Sequence, residues 1–229
     1  MKKALLSLSV LTVMFAFAAC KKNNPAPANT ASVMYVNGCA GASNVDVSVN
    51  GTKLASASNL AFSKNSGYQS VTLNPTTTSI AYALTATGTP LVNGTETLTV
   101  NGHYTAFAGG LVTGTSTSFV FTSDDLTAPA SGMAKVRFVN LSSDNLNLNC
   151  FIGSQKIDSG VTMGSVTPFF SVTATTSATL LLQDPANPTK LAQLTAQTYS
   201  AGKIYTVMLT GTSTGTLTSA LMLTTISNN

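Results

Sequence analysis

The sequence predicts an all-β protein built from two tandem β-sandwich domains. Three observations lead there: a weakly charged composition rich in Thr, Ser and Asn, apolar residues that recur at every second position, and a long internal repeat. Charged residues make up 8% of the 229, against roughly 25% in an ordinary globular chain. Helices need Glu and Lys on their wet faces, and this chain has few of them. Hydrophobic residues at 44% argue equally against charge-driven disorder. Thr and Val favour strands, and Asn and Gly favour turns.

The first element is a targeting segment. Met1-Lys2-Lys3 is a short positive stretch, and Ala4 to Ala19 is an apolar run that stops at Cys20. The run is shorter than the ~20 residues that a permanent span needs. Ala18 and Ala19 suit signal peptidase cleavage, so residues 1–19 are expected to be removed. A Cys directly after them resembles the lipobox of bacterial lipoproteins, with Phe17 in place of the usual Leu. Cys20 is therefore the expected lipidation site, and the membrane is the expected partner of its lipid anchor. Residues 20–30 contain two prolines and no apolar period, the signature of a flexible tether.

The repeat follows. Ala31-Ser32-Val33-Met34-Tyr35-Val36-Asn37 matches Ala134-Lys135-Val136-Arg137-Phe138-Val139-Asn140. Tyr68-Gln69-Ser70-Val71-Thr72 matches Phe169-Phe170-Ser171-Val172-Thr173, and Tyr104-Thr105-Ala106-Phe107 matches Tyr205-Thr206-Val207-Met208. Blocks in one order at nearly constant spacing define domains 31–128 and 134–229, joined near Thr127 to Gly132 where Ala-Pro-Ala-Ser-Gly breaks the pattern. Each unit is long enough to be expected to fold alone.

Within the first unit Val45, Val47 and Val49 alternate with Asp46, Ser48 and Asn50, giving one apolar and one wet face. Asn50-Gly51 then reads as a hairpin turn. Ile80, Tyr82 and Leu84 mark a further strand, and Leu98 and Val100 another. In the second unit the scheme recurs at Leu146, Leu148, Cys150 and Ile152, at Leu180 and Leu182, and at Tyr205, Val207 and Leu209. Short strands between Gly, Asn and Pro turns are the pattern of a sandwich.

The stretch Val33-Met34-Tyr35-Val36-Asn37, followed by Asn44-Val45-Asp46-Val47-Ser48-Val49-Asn50-Gly51-Thr52-Lys53, resembles the family called domain of unknown function 4397. Asn101-Gly102-His103-Tyr104-Thr105 and Gly202-Lys203-Ile204-Tyr205-Thr206 resemble its closing strand start. The second copy is weaker, with Asn149 at the place of Asp46 and Gly153-Ser154 at that of Asn50-Gly51. The resemblance implies two immunoglobulin-like antiparallel β-sandwiches in an envelope lipoprotein of the Bacteroidetes type. It brings no established activity and no catalytic residues.

The residues themselves offer little chemistry. A Ser-His-Asp or Cys-His arrangement would have to use His103, which sits where a solvated strand start belongs. The carboxylates are Asp46, Glu96, Asp124, Asp125, Asp144, Asp158 and Asp184. Asp124-Asp125 reads as a strand end that opens the linker, with a weak Ca²⁺ site there as the alternative. Asp46 lies on a wet strand face. Cys39 and Cys150 occupy non-equivalent places in the two copies and are expected to stay unbridged, Cys150 as a small core residue. Tyr104 and Tyr205 are candidates for tyrosine corners. No catalytic, cofactor or metal residues are expected.

Net charge is +4, but Lys2, Lys3, Lys21 and Lys22 crowd the start, and Lys53, Lys64, Lys135, Arg137, Lys156, Lys190 and Lys203 are scattered singly. Nucleic acid is not an expected partner. The expected role is a non-enzymatic binding or presentation module at the cell envelope, anchored in the outer membrane, with an unknown glycan, peptide or envelope protein as partner. Candidate contact loops are Gly38 to Asn44, Phe62 to Tyr68 and Asp184 to Lys190. The alternatives are an adhesin or fibre-type assembly component that uses exposed β-edges, and a hydrolase. Lys21-Lys22 stands where surface-exported lipoproteins of this type carry acidic residues, so the expected orientation is towards the periplasm.

Overall fold

The computed structural model describes residues 29–73, 77–113, 116–144, 146–186 and 191–229. Residues 1–28, with the expected signal segment, Cys20 and nearly all of the expected tether, lie outside the described residues. No α-helix occurs among the described residues, and no sheet closes into a barrel.

In the first repeat the strands are β1 (Thr30–Asn37), β2 (Asn44–Val49), β3 (Thr52–Lys53), β4 (Leu60–Ala61), β5 (Asn65–Thr72), β6 (Thr77–Leu84), β7 (Pro90–Thr97), β8 (His103–Gly109) and β9 (Ser118–Ser123). The second has β10 (Met133–Asn140), β11 (Leu148–Ile152), β12 (Gln155–Val161), β13 (Phe170–Thr173), β14 (Thr175–Gln183), β15 (Leu191–Tyr199), β16 (Ile204–Thr210) and β17 (Met222–Ser227). The inner sheets have the orders β5-β1-β8-β9 and β13-β10-β16-β17. The outer sheets run β3-β2-β6-β7 and β12-β11-β14-β15. The two repeats share one topology, down to the register that sets Val33 beside Tyr104 and Val136 beside Tyr205.

The inner sheets are mixed rather than purely antiparallel, because β1 runs parallel to β8, and β10 to β16. Burial distinguishes the inner strands from the outer ones. β2 alternates buried and partly exposed residues, as a strand with one wet face does. In β1 and β10 the last five residues are all buried, and β8 is buried from its second residue onward. Such strands have a core on both faces.

Each repeat fills its own sandwich, Val33, Tyr35, Val45, Val47, Ile80 and Ala106 in the first and Val136, Phe138, Leu148, Cys150, Leu180 and Val207 in the second. A third core lies between the inner sheets. Met34, Val36, Phe107 and Val120 of the first repeat pack with Val139, Leu141, Met208 and Ile226 of the second. The described chain is thus four stacked β-layers with three apolar interlayers.

Two local outcomes bear on the sequence reading. Asn50 and Gly51 have φ of 49° and 78°, as the Asn-Gly hairpin requires. Leu98 and Val100, expected in a strand, lie instead in the turn between β7 and β8. The Thr99 N–H is committed to the Tyr104 hydroxyl at 3.0 Å, which removes it from any ladder.

Candidate functional site

The most heavily built polar cluster lies in the seam between the repeats. Arg137 on β10 occupies the place of Met34 on β1, so its side chain points into the apolar interlayer. A lone guanidinium there would be costly. Asp124, directly after β9, meets it: Arg137 Nη2 lies 2.7 Å from Asp124 Oδ1, and their side chains are 2% and 0% exposed. This contact is an ion pair without the alignment of a hydrogen bond.

The remaining valences are filled from both repeats. Asp124 Oδ2 accepts the Tyr68 hydroxyl at 2.5 Å and the Thr105 hydroxyl at 2.6 Å. Arg137 Nε donates to Thr206 Oγ1 at 2.9 Å, and the guanidinium lies 4.5 Å over the Phe169 ring. Asn228 Nδ2 donates to the Tyr68 oxygen at 3.3 Å. Burial pulls the Arg137 pKa below its ordinary value, while Asp124 acts to hold it up. Burial, aided by Asp124, pushes the Tyr68 hydroxyl well above the usual tyrosine range, so it remains a donor. This cluster fixes charge in place; every polar group of Asp124 is directed at a structural partner.

Two clefts open beside the seam, each lined by both repeats. One, of about 400 Å³, is bounded by Thr122, Ser123, Asp125, Arg137, Thr167 and Phe169, among others. The other, of about 560 Å³, is lined by Phe62, Ser63 and Lys64 from the first repeat and Leu217, Met222 and Thr224 from the second.

Sequence reasoning counts Arg137 among cations scattered singly along the chain; the structure buries it. The readable signal was its repeat alignment with Met34, an apolar slot. The Ca²⁺ alternative at Asp124-Asp125 is overturned for a related reason: Asp124 serves Arg137, and Asp125 bonds Lys135 Nζ at 2.8 Å. The Lys135 and Thr127 hydrogen bonds hold the Asp125 carboxyl far below the carboxylate range. No metal-binding cluster occurs among the described residues.

The other candidate residues are dispersed. His103 is half-buried at the start of β8, its ring edge-on to Tyr68 at 5.5 Å. Asp46 bonds Lys53 Nζ at 2.7 Å, the Asn59 N–H at 2.8 Å and Thr85 Oγ1 at 3.1 Å, bracing three segments. Asp144 accepts from Thr212 and the Ser213 N–H, Asp158 from the Ser159 N–H, and Asp184 from the Ala186 N–H. Glu96 stands on β7. Cys39 and Cys150 are free and buried in different sandwiches. Tyr104 and Tyr205 are both corners: their hydroxyls accept from the Thr99 and Ser200 N–H groups, five residues upstream in each case. Of the loop from Asp184 to Lys190, residues 187–190 lie outside the described residues, as does Cys20.

A comparison with curated proteins finds no match. A family model described as Domain of unknown function (DUF4397) matches residues 31–151, which covers the first repeat and continues through β10 into β11. More than half of the chain is matched, and on that ground the protein belongs to the DUF4397 domain family.

Proposed function

We propose that the protein is a lipid-anchored envelope module without catalytic function, which presents the end loops of a stiff four-layer body to a glycan, peptide or envelope protein. The observation that supports this best is the seam. A buried ion pair and a shared apolar core hold the two repeats in one orientation, as a scaffold for loops requires. Carboxylates are engaged in bracing, with Asp46 in an outer sheet and Asp124 and Asp125 near the seam each paired to a cation. The anchor rests on the Ala18-Ala19-Cys20 stop.

Fractionation of cells expressing the chain and its Cys20→Ser variant, with the membranes washed in alkaline carbonate to strip peripheral proteins, tests the anchor: the chain is expected to stay with the membranes and the variant to be released, and equal retention of both would sink the claim. Proteinase treatment of intact cells then tests orientation, with protection of the body expected for a periplasmic face. A second reading, strand addition at a sheet edge, is favoured by β15, an edge strand whose sequence LAQLTAQTY carries no charge. The bulge at Ala196, with φ of 55°, blunts that edge.

A further inference from the structure

Of the large apolar side chains that stand in solvent among the described residues, Leu217 is 95% exposed, Val100 48% and Met222 38%. Leu217 and Met222 line the same cleft, together with Phe62 and Lys64. Lys64 is exposed and forms no ion pair among the described residues.

The loop that carries Leu217 is built to hold it out. Ser219 Oγ accepts the Thr216 N–H at 3.1 Å and donates to the Thr216 carbonyl at 2.9 Å. The Thr212 N–H bonds the Ser219 carbonyl at 2.9 Å, and Asp144 takes the Ser213 N–H at 2.6 Å. A Cβ on Gly211 would lie 2.1 Å from the Ala220 oxygen, so only glycine lets the loop close this tightly. Leu217 itself sits at φ 52°, a left-handed conformation unfavourable for a branched side chain. Strain that sets an apolar residue in water gains nothing in the isolated molecule, and such outliers point towards function.

We propose that this cleft docks on an anionic lipid bilayer, with Leu217 and Met222 entering the headgroup boundary and Lys64 meeting the lipid charge. An apolar tip beside an unpaired lysine is the chemistry of interfacial binding. Reach agrees with this. The Asn37 N–H bonds the Lys64 carbonyl, which places the cleft at the far end of β1, about 23 Å from Thr30. The stretch from Lys21 to Asn29 can extend to about 30 Å, enough for a bilayer holding Cys20 to meet that end. The reach argument rests on the lipid-anchored reading; the experiment below does not.

The test uses the chain from Cys20 onward carrying Cys20→Ser, so that no acyl chain contributes. Flotation is measured with vesicles of phosphatidylcholine containing one quarter phosphatidylglycerol. The protein is expected to float with them, Leu217→Asp to lower the partition coefficient on the order of tenfold, and Lys64→Glu to lower it about fivefold. Val100→Asp should leave it unchanged. The chain contains no Trp, so Leu217→Trp supplies a unique reporter whose emission should shift to the blue on vesicle addition. No flotation together with an unshifted Trp emission overturns the proposal. So does concentration-dependent dimerisation abolished by Leu217→Asp without vesicle binding, which would assign the cleft to a second copy. Failure of Cys20 lipidation in cells would change neither readout.

Discussion

Asp124 and Asn228 hold corresponding places just past the last strand of their repeats, and each accepts a hydrogen bond from a corresponding threonine. Thr105 Oγ1 donates to Asp124 Oδ2 at 2.6 Å, and Thr206 Oγ1 to Asn228 Oδ1 at 2.7 Å. The seam is therefore a near two-fold arrangement in which one side has become ionic. Where the second copy has Asn228 the first has Asp124, and this Asp is matched by Arg137 in the second where the first has Met34.

That relationship predicts a strongly coupled pair. Arg137→Met should destabilise the protein by about 3–5 kcal/mol, because it leaves the Asp124 carboxylate buried without a cation. Arg137→Met combined with Asp124→Asn makes the seam more symmetric and should recover most of the loss. Denaturant melts of both single variants and the double variant give the coupling; additive effects would show that the pair is not a unit.

The shared interlayer predicts that the halves seek each other. Residues 29–131 and 132–229, made separately, expose Met34, Val36, Phe107 and Val120 on one side and Val139, Leu141, Met208 and Ile226 on the other. Mixed, they should elute as a one-to-one complex, and Val36→Lys should prevent this. Independent elution of the wild-type halves would mean that the interlayer contributes little affinity.

Burial raises the Cys39 thiol to about 11, and burial with some help from Asp158 raises Cys150 to about 12. Neither should react with a disulfide reagent at about pH 8 in the folded protein. Both should react once denaturant is added. Rapid labelling without denaturant would reveal local opening of a sandwich.

Asp46 predicts an acid limb. The Lys53 and Asn59 hydrogen bonds, with lesser help from Thr85, hold its carboxyl below the ordinary value of 3.8 against the effect of burial. A depressed folded value means that its contribution is fully present above the unfolded value and is lost as pH falls through the folded one. Asp46→Asn should cost about 1 kcal/mol near neutrality and flatten the fall in Tm below about pH 4. An unchanged acid limb would place that loss elsewhere.

The outer sheets were legible because one of their faces is wet. Val45, Val47 and Val49 announce a strand by alternation, and Asn50-Gly51 announces its turn. The corners at Tyr104 and Tyr205 were legible because the repeat printed them twice. The seam was harder. Val33-Met34-Tyr35-Val36 is a continuous apolar run, which by itself says only that both faces are covered, not by what. Arg137 hid because a single Arg in sequence looks solvated, and its partner is an Asp whose neighbour, Asp125, is at the surface. The Leu217 cleft could not be read at all, since its walls come from segments some 150 residues apart that only the packing of the repeats brings together.

The placement of β1 also has a mechanical side. It is an inner strand, bonded antiparallel to β5 on one flank and parallel to β8 on the other. A pull on the chain ahead of Thr30 runs along the strand axis, so both rows of hydrogen bonds are loaded together in shear and cannot be peeled one at a time. Force applied at residue 29 would thus be resisted by both rows at once, and force spectroscopy with the handle there should meet a higher rupture force than one that unzips β9 from its edge.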